Sequence, residues 1–163
     1  MSDLDALAPK VIARCREAGV RLALAEACTG GLMTAALTEV PGASAVVERG
    51  FVPYSNESKG EQLGVPLALL QAHGSVSAEA VGAMAAGALE RSWADWAVAE
   101  TGIAGPGGGT ETKPVGLVFI AVQRRGRAAV VERHRFEGDR RQVRHAAAAR
   151  GLALLLEQVG VES

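Results

Sequence analysis

Between positions 4 and 18, apolar residues fall at 4, 7, 8, 11, 12 and 15. That three- and four-residue spacing predicts a helix with one buried stripe, stopped by Gly19. The run VRLALAEA at 20–27 is short, apolar and entered from a glycine, which predicts a buried strand. Helical spacing resumes over 30–39 and ends before Pro41-Gly42. AVVERGFVPY at 45–54 is β-branched and aromatic enough for a second strand. The segment 55–74 carries two short helices broken by Gly64 and Gly74, and a longer helix rich in Ala and Gly follows from Ser77 to about Ser92. ADWAVAETGIAG reads as a strand running into a glycine loop. VGLVFIAVQ and AAVVERHRFEG then form an antiparallel hairpin, with the basic run RRGR (124–127) as a solvated tip. From Asp139, its expected cap, a closing helix extends to about Val159.

Strands alternating with helices predict an α/β fold: a single three-layer α/β/α domain over 1–163, its sheet made mixed by the hairpin. With 163 residues, 48% of them apolar, the chain can bury a core without disulfides or metals. Its 17 basic and 18 acidic side chains give no global basic field, which argues against nucleic acid as a partner. No apolar run is long enough to span a membrane and no secretory leader opens the chain, so a cytoplasmic protein is expected. Two cysteines and three scattered histidines supply no metal-ligand spacing, and neither a metal nor another cofactor is expected.

Candidate chemistry gathers at the ends of the predicted strands. Two glycine-rich stretches, EACTGG (26–31) and ETGIAGPGGGTETKP (100–114), each follow a strand, where loops of an open α/β sheet converge on ligands. Neither has the spacing of a known phosphate-binding loop. The first opens into a helix, so the N–H groups near Thr29, Gly30 and Gly31 are candidates for holding a phosphate or a developing oxyanion, with Thr29 as helix cap. Between the loops, Tyr54, Asn56 and Lys59 sit where a strand gives way to a helix; a lysine becomes a base only if burial or a neighbouring cation lowers its pKa. Glu26 is either a binding group or a partner for a cation. Arg49, Arg140 and Arg144 are the candidates for binding phosphate, although Arg49 could equally pair with Glu48.

The stretches AEACTGGL (25–32), VPGASAVVERGFVPYSNESK (40–59), LGV (63–65), HGSVS (73–77), GIAGPGGGTETKPVG (102–116) and FEGDRRQVR (136–144) resemble the CinA C-terminal domain family, the nicotinamide-nucleotide amidohydrolases. The length is similar to that of the stand-alone members rather than the two-domain ones. The resemblance implies hydrolysis of the carboxamide of nicotinamide mononucleotide, a small-molecule nucleotide substrate, to nicotinic acid mononucleotide and ammonia. A Ser nucleophile, a Lys base and a homodimer are implied with it. The base maps to Lys59, with Tyr54 nearby, and the nucleophile to the third position of AEACTGG, which here is Ala27. Substrate contacts are expected from Glu26, Cys28, Thr29, Gly30, Gly31, Asn56, Thr101, Gly102, Gly105 and Gly107. An Ala methyl offers no nucleophile. The sequence leaves open a silent nucleotide-binding homologue, an engineered inactive variant, or a neighbour such as Cys28 or Thr29 in the role.

Overall fold

The structure, a computed structural model, describes residues 2–161. In chain order the elements are α1 (Asp3–Ala18), β1 (Leu22–Glu26), α2 (Leu32–Thr38), a 3-10 turn (Ala43–Ala45), β2 (Val47–Phe51), α3 (Asn56–Leu63), α4 (Leu67–His73), α5 (Ala78–Glu90), β3 (Trp96–Gly102), β4 (Leu117–Arg124), β5 (Val130–Arg135) and α6 (Arg140–Val161). The sheet order is β2-β1-β3-β4-β5. β1 runs parallel to both β2 and β3, whereas β3-β4 and β4-β5 are antiparallel, so the sheet is mixed.

The two faces of the sheet are built from residues of different size. Leu22, Leu24, Trp96, Val98, Val118, Ile120 and Val122 point into one core with residues of α1, α2 and α6. Ala23, Ala25, Ala97, Ala99 and Ala121 point into the other with α3, α4 and α5. Side chains alternate across a strand, so the apolar strands read as continuous runs while sorting bulky residues from small ones. The small face lets α5 come close, and α5 in turn approaches α3. A Cβ at Gly87 would lie 1.9 Å from the Leu63 carbonyl oxygen, so no larger residue fits there.

Local signals account for most element ends. Ser2 caps α1 in a reciprocal capping box with Asp5, and Gly19 ends the helix in the left-handed conformation. Asp139 caps α6 as expected: its Oδ1 accepts from the Gln142 N–H at 2.9 Å, and its own N–H donates to Gln142 Oε1 at 2.8 Å. The hairpin tip is exposed at 125–127, as expected. Arg125 nevertheless also turns back, donating to the carbonyls of Leu89, Ser92 and Ala94. Those carbonyls lie where α5 ends and the chain turns into β3, and the guanidinium ties that turn to the hairpin.

Candidate active site

β1 and β3 lie side by side with Glu26 opposite Glu100, so both strands deliver their loops to one end of the sheet. There the two loops and the start of α3 enclose a cavity of about 280 Å³. Its wall includes Ala27, Cys28, Tyr54, Asn56, Lys59, Thr101, Gly102, Gly105 and Gly107. Ser75, Val76, Ile103, Ala104, Gly108 and Arg140 complete it, and of these the sequence reading had singled out only Arg140.

Lys59 is the chemically distinctive group. Ser55 caps α3 and sets the helix so that Lys59 points inward, only 3% exposed, where its Nζ donates to the Tyr54 carbonyl at 3.1 Å. Burial lowers its pKa, because an ammonium without full hydration is disfavoured. Charges on Glu100 and Cys28 would oppose that shift, but both groups are held in their protonated forms.

A count of protons shows why Glu100 is neutral. The Thr29 hydroxyl lies 2.8 Å from Glu26 Oε1 and 2.7 Å from Glu100 Oε1. It has one hydrogen and can donate to only one of them, so the other contact needs a proton on a carboxyl group. Glu26 already accepts from the N–H groups of Met33 and Thr34 and from the Thr34 hydroxyl. The proton therefore belongs on Glu100, which is wholly buried, and burial followed by the charge of Glu26 raises its pKa against the opposing hydrogen bonds from Thr29 and Cys28. The chain of donors runs from Glu100 to Thr29 to Glu26. Cys28 donates its thiol hydrogen to Glu100 Oε2 at 3.1 Å, and burial pushes its pKa up, so it is no thiolate.

These contacts correct three expectations for the first loop. Thr29 does not cap α2: Gly31 occupies the cap position without a side-chain bond, and the Glu26 carboxylate takes the helix N–H groups instead. The Thr29 N–H is not free for a ligand either, since it donates to Glu100 Oε1 at 2.9 Å. Glu26, Thr29, Gly30 and Gly31 thus lie beneath or beside the cavity rather than in its wall. The physical reason is that two carboxyl groups, brought together by strand pairing, out-compete a hydroxyl and a ligand for the same donors.

The arginines also divide. Arg49 pairs with Glu48 and the Arg91 carbonyl, away from the cavity. Arg144 holds the first loop in place, donating to the carbonyls of Cys28 and Thr29 at 2.9 and 3.1 Å. Arg140 alone of the three lines the cavity, spanning its opening from the Gly105 carbonyl at 2.8 Å to the Tyr54 hydroxyl at 3.1 Å. Among the described residues, the N–H groups of Ala104, Gly105, Gly107 and Gly108 have no protein partner.

A family model described as the CinA C-terminal domain matches residues 4–159. The chain belongs to that family. A CinA-like protein of Anaeromyxobacter sp. (strain Fw109-5) is 50% identical over 145 residues, which are 89% of this chain and 35% of that protein. A relative from Caldicellulosiruptor bescii, described as competence-damage inducible, is 45% identical over 96% of this chain and 38% of its own length. The chain thus spans little more than a third of these curated relatives. Among solved structures, the competence/damage inducible protein CihA of Agrobacterium tumefaciens is 44% identical, with a TM-score of 0.94 over 96% of each chain. A CinA superfamily protein of Klebsiella pneumoniae is 36% identical with a TM-score of 0.92, covering 96% of this chain and 98% of its own. Among the described residues of this CinA domain, no helix is long and apolar enough to cross a membrane. Among the same described residues, no group of three or more His, Cys, Asp or Glu could hold a metal ion.

Proposed function

We propose that the cavity binds a pyridine mononucleotide and supports carboxamide hydrolysis, converting nicotinamide mononucleotide to nicotinic acid mononucleotide and ammonia. The observation that carries this reading is a buried lysine, its ammonium form disfavoured, facing a cavity walled by unpartnered backbone N–H groups. A neutral amine is a base for an attacking hydroxyl, and the N–H groups are suited to a tetrahedral oxyanion. Arg140 at the opening provides a guanidinium for the phosphate.

Ala27 weakens the chemistry but not the binding. Its methyl group faces the cavity, at the position where the resemblance puts a Ser nucleophile. Neither neighbour replaces it: Cys28 keeps its hydrogen on Glu100, and Thr29 is enclosed between two carboxyl groups. The test compares ammonia release and calorimetric binding of nicotinamide mononucleotide for the parent, Ala27→Ser, and Ala27→Ser with Lys59→Ala. The expected result is similar affinity in the first two, turnover at least about 100-fold higher in Ala27→Ser, and loss of that gain in the double variant. An Ala27→Ser protein that binds the nucleotide yet gains no turnover would sink the assignment of the nucleophile position.

A further inference from the structure

We infer that Ser75 is the nucleophile through which this chain retains turnover. The inference rests on the amidohydrolase reading above, and follows from asking what every hydroxyl and thiol in the cavity wall is doing. Four residues carry one: Cys28, Tyr54, Ser75 and Thr101. Cys28 donates to Glu100. Thr101, 2% exposed, donates its hydroxyl to the Ser75 carbonyl at 2.7 Å. The Tyr54 phenol, 62% exposed at the rim, receives Arg140. The Ser75 hydroxyl has no hydrogen-bond partner among the described residues, and it shares the cavity with Lys59.

An unpartnered hydroxyl on a loose loop would mean little, but this loop is held from several sides. Thr101 fixes the Ser75 carbonyl, Lys113 Nζ donates to the His73 carbonyl at 2.7 Å, and Ser77 Oγ donates to the Gly74 carbonyl at 2.9 Å while capping α5. The backbone of Ser75 is therefore set in place before any ligand arrives, the condition under which a nucleophile gains most from proximity. Ala104, Gly105, Gly107 and Gly108, whose N–H groups have no protein partner among the described residues, line the same wall, and these groups are the donors proposed for the oxyanion.

The reaction balances with water alone. Ser75 Oγ bonds to the carboxamide carbon while Lys59 Nζ takes its proton. The tetrahedral intermediate collapses by breaking the C–N bond, and Lys59 returns the proton to the departing nitrogen, which leaves as ammonia. Water, deprotonated by Lys59, then attacks the ester on Ser75, and Ser75 recovers its proton from Lys59 as the carboxylic acid is released.

Two measurements test this on the intact chain. A fluorophosphonate, which reacts with activated serines irrespective of substrate, is followed by peptide mass spectrometry in the parent, Ser75→Ala and Lys59→Ala. The expected result is label on Ser75 in the parent and on neither variant. In parallel, Ser75→Ala should lose at least about 100-fold of the parent's ammonia release from nicotinamide mononucleotide while its affinity for the nucleotide changes less than about threefold. An unlabelled Ser75, a Ser75→Ala rate equal to the parent's, or a parent that binds the nucleotide but releases no ammonia overturns the inference. If Ser75 is labelled in a Lys59-dependent way but the nucleotide does not bind, the nucleophile stands and the substrate reading falls.

Discussion

The loops at 27–31 and 101–109 both leave a buried strand and both are rich in glycine, yet the buried acids engage only the first. The first is turned inward. Its Thr29 N–H and hydroxyl meet the buried acids, its helix N–H groups meet Glu26, and its carbonyls meet Arg144. The second lines the cavity, and none of its N–H groups at Ala104, Gly105, Gly107 and Gly108 has an acceptor among the described residues. Glycine content therefore does not mark a ligand site. What separates the two loops is a pair of carboxyl groups, Glu26 and Glu100, which take the Thr29 donors and the first N–H groups of α2 and none from the second loop.

Removing that pair should break the contrast, and Glu26 is where the effect is largest. Glu26→Ala strands the N–H groups of Met33 and Thr34 in a buried setting and should cost about 3–5 kcal/mol, read as a lower urea midpoint with little change in slope. A loss below about 1 kcal/mol would mean that α2 does not depend on this carboxylate.

Glu100→Gln is the next largest. An amide can replace the acid's hydrogen toward Thr29 Oγ1 only by setting its NH2 against the Thr29 N–H, so one bond is lost at a cost of about 1–3 kcal/mol. The variant also sharpens the protonation argument. Because the folded pKa of Glu100 is raised above its ordinary value of 4.5, the folded state holds a proton that the unfolded state gives up. Its stabilising contribution is complete below that value and declines as pH rises toward the folded pKa. Stability measured from pH 4 upward should show this decline in the parent, and the decline should be shallower in Glu100→Gln. Parallel profiles for the two proteins would show that Glu100 is ionised.

Glycine substitutions give the smallest effects and compare the loops directly. Gly30 has φ +61°, a region that costs an L side chain about 1 kcal/mol, and its Cβ would meet Arg144 Nη2 at 3.4 Å. A Cβ at Gly107 meets nothing within 4 Å, and its φ is not in the left-handed region, so Gly107→Ala should change stability by less than about 0.5 kcal/mol. The nucleotide affinity should reverse the order: Gly107→Ala crowds the cavity wall and weakens binding several-fold, whereas Gly30→Ala leaves it near the parent value. Equal affinities would show that the second loop does not contact the ligand.

Much of the molecule was legible in the sequence. Periodicity of 3.6 against continuous short apolar runs identified the helices and strands, and caps and glycines located their ends to within a few residues. The β2 prediction, 45–54, shortens to Val47–Phe51, its start delayed by a 3-10 turn at Ala43–Ala45. The cavity residues Ala27, Cys28, Tyr54, Asn56, Lys59, Thr101, Gly102, Gly105 and Gly107 come from segments that the sequence had already marked. Glu100 and Ser75 did not stand out, although one signal for Glu100 was present. β1 reads LALAE and β3 begins WAVAE, each placing an acid after four apolar residues.

What the sequence alone determined is local: which segments bury a face, where each begins and stops, and that a lysine sits at the start of α3 between two strand-end loops. Only the tertiary structure decided the lateral relations. The pairing of β1 with β3 put Glu26 opposite Glu100, which drew Thr29 between them and away from the helix it was expected to cap. The tying of the 73–77 loop to Thr101 and Lys113 brought an otherwise ordinary serine into the wall that holds Lys59. The reason is physical. Hydrophobic period reports how each residue faces the core, but carries no information about which strand lies alongside. A buried acid's protonation and a hydroxyl's partner are set by those neighbours.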